Sequence, residues 1–86
     1  MKIAVWDTYV TRKDGKIMHF DILVDENINA EQVYEYGKKY LKSVAQEGQA
    51  LSSKECRFCH IDKAPIEIEN QIAANGFSII EMENCN

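Results

Sequence analysis

The sequence predicts an α+β fold, a two-layer sandwich ordered β-β-α-β-α-β, in which a four-stranded mixed sheet carries two helices on one face. Three observations predict it. An Asp14-Gly15 pair separates two runs rich in β-branched and aromatic residues, a capping motif at Asn29 opens a stretch of helical period, and Pro65 and Asn75-Gly76 bracket a second such stretch before a last apolar run. A chain of 86 residues buries a limited fraction of its surface, so residues 1–86 are expected to form a single domain around one packed layer of sheet and helix.

The first element is a hairpin. Ile3 to Thr11 and Ile17 to Val24 flank Arg12-Lys13-Asp14-Gly15-Lys16, where Asp-Gly supplies the positive φ that a tight turn demands. With Asp14-Gly15 as a two-residue loop, Lys13 pairs with Lys16. One face then carries Ile3, Val5, Asp7 and Tyr9 with Met18, Phe20, Ile22 and Val24; the other carries Ala4, Trp6, Thr8 and Val10 with Ile17, His19, Asp21 and Leu23. The first face is the expected core. A longer, bulged loop would shift the register by one and exchange these partners.

Asn29-Ala30-Glu31-Gln32 has the form of a capping box, so a helix is expected to follow. Val33, Tyr36, Gly37, Tyr40, Leu41, Val44 and Ala45 recur at the helical period, with Glu31, Glu35, Lys38, Lys39 and Lys42 mostly outside that stripe. Gly48 is the expected left-handed cap. A polar loop, Gln49 to Ser53, leads to Lys54 to Ile61, read as a short strand or an extended segment containing a turn. Pro65 then opens a helix in which Ile68 and Ile72 share a face, and Asn75-Gly76 closes it. Phe77 to Glu83 forms the last strand, and apolar residues on both its faces predict an interior position in the sheet. A β-α-β unit of this length closes most easily as a parallel crossover, hence the mixed sheet. With both helices on one face, Trp6, Val10 and Leu23 would lie on an open face, where a second copy of the chain is expected to pair.

The net charge, 10 basic against 14 acidic residues, is −4, which disfavours unspecific binding to a phosphate backbone. The basic groups Arg12-Lys13-Lys16 and Lys38-Lys39-Lys42 read as a turn and a solvated helix face, so no nucleic-acid partner is expected. In Met1 to Asp7 an acidic residue interrupts any apolar run of signal-peptide length, and no segment is apolar for long enough to cross a bilayer. A cytoplasmic location with free or metal-bound thiols is therefore expected.

Cys56-Arg57-Phe58-Cys59-His60 is the sharpest chemical motif. Its literal match to a c-type haem attachment site is set aside, because haem is attached to exported proteins and needs a cavity that so small a core does not offer. A zinc site is the stronger metal reading: a knuckle would aim Cys56 and Cys59 at one tetrahedral centre, with His60 or the distant Cys85 to complete the set. The same thiols could instead exchange disulfides, one attacking and the other resolving, although the pair does not open a helix as in thioredoxin-like proteins. If the segment is a regular strand, Cys56, Phe58 and His60 face one way and Cys59 the other, and the thiols are small buried hydrophobes.

His19 and Asp21, two apart on a strand with Thr8 nearby, offer a proton-transfer pair or a half-exposed polar pair. Asp7 is the odd residue on the expected core face, where a loop or helix amide could satisfy it.

Several segments together resemble a small bacterial family known as domain of unknown function twenty-twenty-four. They are Val5-Trp6-Asp7-Thr8-Tyr9-Val10, Asp14-Gly15, Met18-His19-Phe20-Asp21, Glu55-Cys56-Arg57-Phe58-Cys59-His60, Lys63-Ala64-Pro65, and Gly76-Phe77 with Glu81-Met82-Glu83 before Cys85. The resemblance implies a compact α+β domain and no particular reaction. The expected function is thus a small thiol or zinc domain with Cys56, Cys59, His60 and Cys85 at its site. A non-catalytic interaction or dimerisation module comes second, and an acid-base enzyme built on His19 and Asp21 third.

Overall fold

The computed structural model describes residues 1–86 and has the expected α+β composition, with strands β1 (Lys2–Thr11), β2 (Ile17–Asp25), β3 (Cys56–Lys63) and β4 (Ser78–Glu83) and helices α1 (Ala30–Ser43) and α2 (Ile66–Asn75). The four strands form one open sheet in the order β3-β1-β2-β4. Every neighbouring pair is antiparallel, which corrects the mixed sheet. The crossover through α1 does return β3 in the direction of β2, but it steps over β1, so the two parallel strands never touch. β4 lies at the edge, not the interior. Its apolar residues divide between Ile79, packed on the core, and Ile80 and Met82, which stay exposed.

The hairpin register differs from the two-residue-loop reading by one residue. Arg12 N–H donates to the Lys16 carbonyl at 2.7 Å and Gly15 N–H to the Arg12 carbonyl at 3.0 Å, enclosing the three-residue loop Lys13-Asp14-Gly15. Gly15 takes the left-handed conformation (φ 89°) that such a loop requires. Thr11 therefore opposes Ile17, and Ala4, Trp6, Thr8 and Val10 oppose Val24, Ile22, Phe20 and Met18.

These eight residues face α1 and build the main core with Val33, Tyr40, Leu41, Leu51, Cys56 and Cys85. Ile3, Val5 and Leu23 face the other way and pack against Ile68 and Ile72 of α2. The helices thus cover opposite faces of the sheet instead of sharing one, because both faces of β1 are apolar and each attracts a cover. Trp6 stands edge-on to Tyr34 of α1 (6.4 Å between centroids) and to Phe58 of β3 (5.8 Å), its indole N–H buried without a partner. Trp6 and Val10 consequently belong to the α1 side, so the open surface on which self-association was expected does not exist in that form. No helix is long and apolar enough to cross a membrane.

Helix α1 starts as expected, the Asn29 side chain accepting from Gln32 N–H at 2.9 Å. It ends earlier than Gly48. Ala45 takes the left-handed position (φ 60°), and the Ala45 and Gln46 amides return to the carbonyls of Lys42 (3.3 Å) and Leu41 (2.8 Å), a Schellman closure. This turn delivers Gln46, whose Oε1 accepts from Lys13 N–H at 2.8 Å and ties the end of α1 to the hairpin loop. Within α1, Gly37 leaves room for Leu51, since a Cβ there would lie 2.6 Å from its Cδ1.

Two substitutions separate these effects. Gly37→Ala should destabilise the fold by about 1–3 kcal/mol through overpacking despite its better helix propensity. Ala45→Gly should stabilise it by about 0.5 kcal/mol, relief of the left-handed strain outweighing the added chain entropy. Denaturant melts of the two variants against the parent check both signs.

Candidate functional site

Helix α2 is short and covers only one end of its face. Strand alternation carries that face onward from Ile3 and Val5 to Asp7 and Tyr9, and from Leu23 to Asp21 and His19. Asp7 lies directly opposite Asp21, and Tyr9 directly opposite His19. Two like charges facing each other across a ladder repel, so the pair needs a compensating partner. His19 supplies part of it: Nε2 is 2.6 Å from Asp7 Oδ1, and the imidazole stacks on Tyr9 with centroids 4.1 Å apart. Asp21 remains the strained member. Burial first, and the Asp7 carboxylate second, push its carboxyl above the ordinary aspartate range. One ligand atom from each of Asp7, His19 and Asp21 lies within 4.8 Å of the others.

Beside this cluster runs a groove of about 290 Å³. Ile3, Val5 and Leu23 form its floor, Pro65 and Ile68 one wall and Ile80 another, while Asp21, His60, Asp62 and Lys63 supply the polar rim. An apolar floor beside a few convergent polar groups is the usual form of a small-molecule site.

The cysteine motif is neither a knuckle nor a regular strand. Pairing with β1 slips between Val5 and Trp6, where Val5 opposes His60 and Trp6 opposes Phe58, so Cys59 is the extra residue of a β-bulge. Cys56 and Phe58 keep to the α1 side, whereas His60 is turned to the α2 side. Cys56 is 1% exposed, accepts from the Thr8 hydroxyl at 3.4 Å, and has its thiol pushed up by burial. Cys85 is also buried, its Sγ 3.3 Å from the His19 carbonyl. Cys59 is exposed, with Sγ 3.2 Å from His60 Nδ1. Of the four expected site residues, then, the structure brings together Cys59 and His60 and leaves Cys56 and Cys85 in the core.

The sequence reading found His19 and Asp21 but placed Asp7 on the wrong side of them, and it passed over Tyr9 and Asp62. A three-residue Lys13-Asp14-Gly15 loop was the signal that would have put Asp7 opposite Asp21.

The raised Asp21 carboxyl has a definite pH signature. Between its unfolded value, near 3.8, and its higher folded value, the native state holds a proton that the unfolded chain has released. Stability attributable to this group is therefore full below the unfolded value and is lost as pH rises through the folded one. Asp21→Asn should raise the Tm near pH 7 and lose that advantage towards pH 3.5. Thermal melts across this range would contradict the assignment if the gain were larger in acid.

The comparisons with known proteins agree with this architecture. The family model described as Domain of unknown function (DUF2024) matches residues 1–82. The NMR structure of protein NE1680 from Nitrosomonas europaea, a structural-genomics target, is similar at 46% identity and a TM-score of 0.88, covering 100% of each chain. No curated protein matches. With a family model spanning nearly its whole length, the chain belongs to the DUF2024 family.

Proposed function

We propose that this domain binds a divalent transition-metal ion on the half of the sheet that α2 leaves uncovered, with Asp7, His19 and Asp21 as ligands. The observation that carries this reading is the convergence of one imidazole and two directly opposed carboxylates within 4.8 Å. A cation between Asp7 and Asp21 would remove their repulsion and draw the raised Asp21 carboxyl back down. One nitrogen and two oxygen donors suit a borderline ion such as Zn²⁺ or Mn²⁺ better than the all-oxygen preference of Ca²⁺. Three protein ligands also leave a coordination position for water or a ligand seated in the adjoining groove, the arrangement of reactive rather than purely structural metal sites.

A zinc centre on Cys56, Cys59, His60 and Cys85 would need Cys56 to leave the α1 core and β3 to unpair beside Thr8, so the carboxylate cluster is the better supported metal site. A second reading, acid-base chemistry without metal, draws on the 2.6 Å His19–Asp7 contact and on the Asp21 carboxyl raised beside it.

Chelator-treated protein titrated with Zn²⁺ and Mn²⁺ by calorimetry, with bound metal counted after dialysis, tests the proposal. One ion per chain is expected, with binding that weakens in acid, where protons compete with the ion for the carboxylates. Asp21→Asn or His19→Ala should weaken binding by about tenfold or more, and Cys59→Ser should leave it unchanged. Absence of uptake would favour the metal-free reading. Loss of uptake in Cys59→Ser alone would return the metal to the thiols.

A further inference from the structure

The bulge in β3 does more than interrupt a ladder. An extra residue puts two consecutive side chains on one side of the strand, which is how Cys59 Sγ comes within 3.2 Å of His60 Nδ1. The other ring nitrogen of His60 lies 3.7 Å from Asp62 Oδ2. That separation is too long for a hydrogen bond, but a carboxylate on the Nε2 side attracts a proton there, and with the proton on Nε2 the Nδ1 lone pair is free to accept from the thiol. Cys59 is moreover the one exposed thiol of the three. The imidazole thus has the thiol on one ring nitrogen and the carboxylate nearer the other, with His60 and Asp62 at the rim of the groove.

We propose that Cys59, His60 and Asp62 form a nucleophilic thiol site that reacts with low-molecular-weight disulfides and retains half of the reagent as a mixed disulfide. In the step, His60 Nδ1 takes the thiol proton, and Cys59 Sγ attacks one sulfur of the disulfide R–S–S–R. The S–S bond of the reagent breaks as the Cys59–S–S–R bond forms, and the departing thiolate leaves as R–SH with the proton from His60. Cys59 is oxidised and the released half of the reagent is reduced, so the disulfide is itself the oxidant.

A dithiol oxidoreductase would then resolve the adduct with a second thiol. Here the sequence neighbour, Cys56, is buried on the opposite side of the strand beneath the Thr8 hydroxyl, and Cys85 is buried near the His19 carbonyl. The adduct therefore persists, making Cys59 a thiolation site instead of half of a redox pair. The charged groups facing His60 are Asp62 on its own strand, Asp21 of β2 and the neighbouring Lys63, while α2 presents Ile68.

The site uses none of the proposed metal ligands, and its test is run with chelator present so that the two can fail separately. Native protein is treated with glutathione disulfide and, for rates, with dithiodipyridine, whose released thione absorbs. Mass spectrometry should find one adduct per chain, on Cys59, and no Cys56–Cys59 disulfide. His60→Gln should slow the reaction by about tenfold near pH 7, and Asp62→Asn by a smaller factor, because each impairs the base. The difference should close towards pH 9.5, where a thiol ionises without help, a convergence that a merely structural role of His60 would not produce. Far-ultraviolet dichroism of the variants should match the parent, both side chains being exposed. Adducts on Cys56 or Cys85 in the folded protein, collapse to a Cys56–Cys59 disulfide, or a His60→Gln rate equal to the parent's at every pH would each overturn the proposal.

Discussion

The register of the first hairpin is the constraint on which the rest of the molecule depends. Side chains alternate along a strand, so a slip of one residue would exchange the two faces of β2 against β1, turning Met18, Phe20 and Ile22 away from α1 and separating Asp7 from Asp21. The loop is correspondingly held from several directions. Asp14 Oδ1 accepts from Lys16 N–H inside the turn, Gln46 takes Lys13 N–H, and the Gln49 amide donates to the Thr11 carbonyl. From the far end of the chain, the carbonyls of Asn84 and Asn86 accept from the Arg12 guanidinium. Distant segments therefore fix a choice that a short turn makes only locally.

The parts of the fold that were legible in the sequence are those with a local physical cause. Asn29 caps, the apolar stripe through Val33, Tyr40 and Leu41 makes α1, and Pro65 and Gly76 bound α2. Strand order and sheet faces were not legible, because period two says which residues share a face but not what covers it. β1 is apolar on both sides, with Ile3 and Val5 opposed to Ala4, Trp6 and Val10, and either set could be taken for the core. The left-handed residue after α1 was equally hidden. Gly48 is the intrinsic choice, yet the return of Gln46 to the hairpin loop places that conformation at Ala45.

The candidate site was legible in type and not in geometry. His19 and Asp21 stand out in any reading, and so do Cys59 and His60, but their partners depend on register and on a bulge. Neither leaves a mark in local composition. The unequal coverage by the two helices then decides which of these polar groups reach solvent: α1 buries its face from Ala4 to Val10, whereas α2 stops after Ile3, Val5 and Leu23 and leaves Tyr9 exposed and Asp7, His19 and Asp21 half-buried.

An open sheet also presents two free margins, β3 and β4, whose unpaired amides and carbonyls could template another strand. β4 carries Glu81 and Glu83 along its length, charges that discourage such pairing. β3 likewise carries Arg57, Asp62 and Lys63, exposed charges interspersed with exposed Phe58 and Ile61. The bulge at Cys59 adds to these charges, because it breaks the even spacing of backbone groups that a docking strand would have to match. Straightening β3 would therefore offer a more regular edge for another strand to match, so the irregularity that exposes one thiol also makes that edge a poorer template.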